Sequence, residues 1–164
     1  MKLIKVLLAS LLCFSLAACA KEEEKETPME EIDYRLENAG YTVNQTLDPK
    51  GKIIGMNIKK KDFTLIFTEV EDKLDNVTFI NKERHQYTID LTKKEARVIM
   101  AYKNQLCTFD VDGDKTEKNP KECGEIKKED ITAIRTDFSN FLKEIDIDFD
   151  ELTAYYTWNT TEIG

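Results

Sequence analysis

The sequence predicts an α+β domain: an N-terminal helix, an antiparallel β-meander of about five to seven strands, and two C-terminal helices covering one sheet face. Three observations carry this expectation. Apolar residues recur at helical spacing near both ends of the folded part, over 28–39 and 131–145. Between these stretches the hydrophobic period falls to two. The connections there are too short for crossover helices, so neighbouring strands run antiparallel.

The first helix is expected over 28–39. Thr27 offers an N-cap, Pro28 suits the first helical position, and Glu30 completes a capping box. Met29, Ile32, Leu36 and Ala39 form its apolar stripe, and Gly40 can end it. Strands follow at 41–47, 53–59, 63–68, 77–80 and 87–91, with turn chemistry at Asp48-Pro49-Lys50-Gly51. Residues 92–110 admit two readings. Thr92 with Glu95 could cap a helix through 104, but the short apolar runs 97–102 and 106–109 around Asn104-Gln105 favour a hairpin. Ile131, Ile134, Phe138, Phe141, Leu142 and Ile145 make one long helical stripe. Asp148 and Glu151 look like a second capping pair, opening a last helix through about Trp158. No repeat or Gly/Ser-rich linker interrupts 29–164, which reads as one domain, as suits a 164-residue chain.

The first nineteen residues carry a different signal. Lys2 and Lys5 precede the apolar run Val6 to Leu16. That run is too short to span a bilayer, which takes about 20 helical residues, but has the length of a signal-peptide core. It ends in Leu16-Ala17-Ala18-Cys19, which resembles the lipobox of bacterial lipoproteins. The resemblance implies that residues 1–18 are a cleaved signal peptide, that Cys19 becomes an acylated N-terminus, and that the protein sits on the extracytoplasmic face of a cell membrane, with the bilayer as a partner. Two acyl chains would anchor it without a spanning helix. Residues 19–28, rich in Glu and Lys, then read as an acidic tether. In its Lys/Glu-rich style the domain is similar to small lipoproteins of low-GC Gram-positive bacteria.

Composition narrows the function. Against 24 Lys+Arg stand 32 Asp+Glu, a net charge of −8, which argues against a nucleic-acid partner. His85 is the one histidine, and Ser139 the one serine after the signal peptide, so a Ser-His-Asp triad has little to draw on. Zinc-type clusters and Gly-rich phosphate loops are missing from the sequence. Carboxylates abound, which leaves a two-carboxylate hydrolase open but singles out no pair.

Three groups of residues remain as candidates. Cys107 and Cys123 are an even pair bracketing a polar stretch, as a structural disulfide in an oxidising compartment requires. Inside that stretch Asp110, Asp112 and Asp114 alternate around Gly113. Such spacing can converge oxygens on Ca²⁺, although Gly and the late Glu122 depart from the EF-hand pattern. The acidic run Asp146, Asp148, Asp150 and Glu151 reads instead as a helix–helix connection. Tyr155, Tyr156 and Trp158 gather near the C-terminus as either a partner-binding aromatic group or helix packing, Trp158 being the most exposed candidate. Lysine runs at 59–61, 93–94 and 127–128 mark turns that could face anionic lipid or wall polymer. The expectation is an anchored, non-enzymatic module that binds a protein or polymer of the envelope and needs no cofactor. A carboxylate-dependent hydrolase and a calcium-dependent adhesion or sensor module are the alternatives.

Overall fold

The computed structural model describes residues 28–114 and 119–161. The segment carrying Cys19, the signal peptide, most of the tether and the Thr27 cap lies outside them. Helix α1 (Pro28–Asn38) leads into seven strands: β1 (Thr42–Leu47), β2 (Ile53–Lys60), β3 (Phe63–Val70), β4 (Lys73–Ile80), β5 (Gln86–Asp90), β6 (Glu95–Tyr102) and β7 (Gln105–Asp110). A short 3-10 turn (Lys121–Glu125) precedes α2 (Lys128–Glu144) and α3 (Phe149–Thr161). The strands form one antiparallel sheet in sequence order, a pure meander with β1 and β7 as its edges.

Register explains why one face is buried. A single rung runs Val43, Ile58, Leu65, Phe79, Tyr87, Val98, Phe109 across all seven strands. The neighbouring rung, Asn44, Asn57, Ile66, Thr78, Thr88, Arg97, Asp110, points to the opposite face and is mostly polar. Period-two alternation thus sorts the sheet into a core side and an open side. The helices cover the core side: α2 over β5 and β6, α3 over β2, and α1 beside β1 and α3. The stripe expected on α2 is the one buried, through Ile131, Ile134, Phe138 and Phe141. Each such side chain contributes roughly 1.5–3 kcal/mol.

The hairpin reading of 92–110 holds: Lys103 and Asn104 turn β6 into β7, both at positive φ (48° and 61°). The structure corrects the extent of two strands. Residues 69–76 are not a long connection; β3 runs on to Val70 and β4 starts at Lys73, around Glu71 and Asp72 with φ of 53° and 59°. Two charged residues in left-handed backbone give none of the Asn-Gly signal that marks such turns.

The C-terminal helices are joined as the acidic run suggested. Asp146, at φ 52°, stands where Gly is usual, with the Ile147 amide donating to the Leu142 carbonyl (3.1 Å) and Asp146 to Lys143 (3.3 Å). Asp148 and Glu151 then exchange side-chain to backbone hydrogen bonds of 2.8 Å each, a complete capping box. Arg35 of α1 donates to the Asp146 carbonyl and pairs with Glu31, so the first helix is tied to the junction of the last two.

Candidate binding clefts

Three turns, at 60–62, 81–85 and 102–104, reach one end of the sheet and face the side of α2. The β4–β5 turn is shaped by Asn81, whose Oδ1 accepts the amides of Glu83 and His85 (3.1 Å each) while its Nδ2 reaches Asp137 on α2 at 3.4 Å. This turn divides the space under α2 into two adjoining open clefts. The first encloses about 430 Å³ between β2, β3 and α2. The second, about 560 Å³, lies between β6, the 3-10 turn and α2. Both are bordered by Asn81, Lys82, Glu83 and Asp137.

The first cleft has an aromatic floor. Phe63 sits against Tyr41 (5.2 Å), Phe79 (4.9 Å) and Phe141 (4.7 Å), mostly edge to face. At its rim Glu144 accepts hydrogen bonds from the Tyr41 hydroxyl (2.6 Å) and from Lys60, whose ammonium also lies 4.7 Å from the Tyr41 ring centre. These two donors hold the Glu144 carboxyl below the ordinary range, and burial with the Glu144 bond pushes the Tyr41 phenol up. Glu144 therefore stays ionised, the opposite of what a general acid at neutral pH requires. In the second cleft, Glu125 accepts from Tyr102 (2.9 Å) and Lys103 (2.6 Å), fastening the 3-10 turn to the β6–β7 turn. His85 is half-buried along this cleft. Aromatic surface with a few placed polar groups is the chemistry of a binding site.

The sequence candidates fall in other places. Cys107 on β7 and Cys123 in the 3-10 turn are both buried and at disulfide distance, with Cα atoms 5.6 Å apart. Asp110, Asp112 and Asp114 do not converge. The Asp110 carboxylate accepts the amides of Asp112 (3.0 Å) and Asp114 (2.8 Å), and Asp114 lies 3.8 Å from Lys128. Among the described residues no group of three or more His, Cys, Asp or Glu is placed to share a metal ion. Tyr155 and Tyr156 are core residues, so of the two readings of this aromatic group these two rings follow helix packing and not partner binding. Tyr155 donates to Asp33 on α1, and Tyr156 stacks on Phe67 at 4.9 Å. A helix lying on a sheet needs bulk at two adjoining positions, and these two rings supply it. Trp158, half-buried against Tyr155, keeps an accessible face. The lysine runs are largely paired: Lys60 with Glu144, Lys93 with Asp90, Lys127 with Glu129 and Lys128 with Asp114.

Sequence reasoning missed the clefts because their residues read as ordinary strand and helix positions. The one signal is Lys60, inside a lysine run that in sequence marks only a turn. Among the described residues no helix is long and apolar enough to cross a membrane. No protein-family model, no curated protein and no solved structure matches this chain.

Proposed function

We propose that this chain is a lipid-anchored, extracytoplasmic binding module, held to the membrane through Cys19 and presenting the clefts beside α2 to a protein or polymer of the cell envelope. The observation that carries this reading is the Cys107–Cys123 pair at disulfide distance. Stable disulfides belong to oxidising compartments, the destination that a lipobox specifies. The order of the parts supports it as well: anchor, acidic spacer, then a domain whose α1 starts at Pro28.

The test is made on protein recovered from its native membrane. Mass spectrometry should find an N-terminus at Cys19 carrying diacylglycerol, and Cys19→Ser should move the protein out of the membrane fraction. An N-terminus elsewhere, or an unmodified thiol at position 19, sinks the proposal.

A further inference from the structure

We propose that the end of the sheet carrying Leu47, Ile54 and Val70 rests in the headgroup region of the bilayer that holds the acyl chains, so that the domain stands on this end with its clefts turned away from the membrane. This orientation rests on the acylated Cys19 proposed above.

Five large apolar side chains are exposed among the described residues, and three of them gather at one end of the sheet: Leu47 (55%), Ile54 (49%) and Val70 (53%). Leu47 ends β1 opposite Ile53, and Lys52, just ahead of β2, bonds at 2.6 Å to Asp72, just after β3. These ties bring the three side chains to the turns at 48–52 and 71–72. The turns that border the clefts are at the other end of the strands. Apolar groups that gather on a surface, unlike scattered ones, mark contact sites. The charges beside this patch cancel: Asp48, Glu71 and Asp72 stand against Lys50, Lys52 and Lys73, in a chain of net charge −8. An apolar tip with a balanced rim, whose lysine stems can lie along apolar surface, suits the headgroup boundary.

The place where the tether joins selects the bilayer as the occupant. Tyr155 of α3 donates to Asp33 of α1, while Arg35 donates to Asp146 ahead of α3, so the two helices run antiparallel. The start of α1 therefore lies with the C-terminal end of α3. That end is fastened to β1 by Asn159, which accepts from Gln45 at 2.9 Å, two positions before Leu47. The other end of α1 leads to Tyr41, in the wall of the first cleft. Residues 20–27 separate Cys19 from Pro28. A stretch of that length spans roughly 15 Å as a coil and about 30 Å at full extension. The eight residues of β2 span about 26 Å. As a coil the tether is shorter than the strands, which turns the Pro28 side of the domain to the bilayer. Three half-exposed aliphatic side chains are too few to bind a free protein to lipid, but the anchor makes the contact intramolecular, where a weak contact is populated.

The test uses lipidated chain from its native membrane, returned to phosphatidylcholine vesicles. A nitroxide is placed on Ile54→Cys, on Val70→Cys or, at the cleft end, on Asp62→Cys, all exposed positions. With Cys19 acylated and Cys107 paired with Cys123, the added thiol is the one that reacts. Collisions with a water-soluble nickel chelate should be several-fold rarer at 54 and 70 than at 62. Leu47→Ser in the chain labelled at 70 should bring collisions there toward the value at 62, with flotation on vesicles unchanged. Chain that does not float with vesicles sinks the anchor and this orientation together. Chain that floats while 54 and 70 meet nickel as often as 62, or while 62 is the shielded site, overturns the orientation alone. Equal shielding of 54 and 70 in the Cys19→Ser chain without vesicles would mark a protein contact and overturn it as well.

Discussion

The two edges of the sheet are built from the same kind of backbone and end in opposite ways. At Thr108 and Asp110, β7 is closed by its own following loop through Asn119 and Asp114, with the Cys107–Cys123 pair holding the 3-10 turn beside it, while Leu106 at its start stays exposed. β1 is held at its start, where Tyr41 reaches Glu144 and the Tyr41 amide donates to the Leu36 carbonyl, but its outer side is left bare among the described residues. A buried cysteine pair is usually read as a stability device. Here its position shows a second use. By holding the 3-10 turn against β7, it keeps the loop that blocks the edge in place.

That difference can be broken deliberately, and the largest effect is expected at the cysteines. Cys107→Ala with Cys123→Ala should cost about 3 kcal/mol by the chain-entropy estimate for a loop of this size. The loss would be read in urea unfolding, with faster exchange at β7 and none added at β1. Next comes Asn119→Ala, which strips the Thr108 amide and carbonyl of a bidentate partner. It should cost about 1–2 kcal/mol, scored in the same unfolding assay, because both groups are half-buried. Smaller again is Asn44→Lys. On an exposed edge it should change monomer stability by less than about 0.5 kcal/mol in thermal melts of dilute protein. A large loss there would mean that the edge is covered.

Acid offers a contrast in the other direction. Glu144 has a folded pKa below its ordinary 4.5, so its bonds to Lys60 and Tyr41 stabilise fully above about pH 4.5. That contribution is lost as pH falls through the lower folded value. The effect is small, since Glu144 is partly exposed. Acidification into this window should loosen the Tyr41 end of β1, seen as broadening of the Tyr41 and Phe63 ring resonances, and Glu144→Gln should remove that pH dependence.

The fold was legible in the sequence wherever a period is repeated. The α2 stripe, the Asp148–Glu151 capping box and the hairpin over 92–110 all follow from side chains that recur on one face or cap one end. The Glu71–Asp72 turn was not, because nothing in two acidic residues announces left-handed backbone. The candidate clefts were not legible either. Phe63 lines one only because the 60–62 turn and α2, nearly eighty residues apart in sequence, are brought together by the meander. The sealing of β7 depends in the same way on a contact between Thr108 and Asn119 that no local pattern encodes. Tyr155 and Tyr156 show the converse: an aromatic group that could have been a surface is claimed by packing.

Hydrogen exchange of dilute, oxidised protein followed residue by residue tests the contrast between the edges most directly. The outward amides of Thr108 and Asp110 should exchange slowly, the alternate outward amides of β1 quickly, and reduction of Cys107–Cys123 should speed the first set alone. Equal protection at both edges, or a β1 amide set as slow as that of β7, would contradict it.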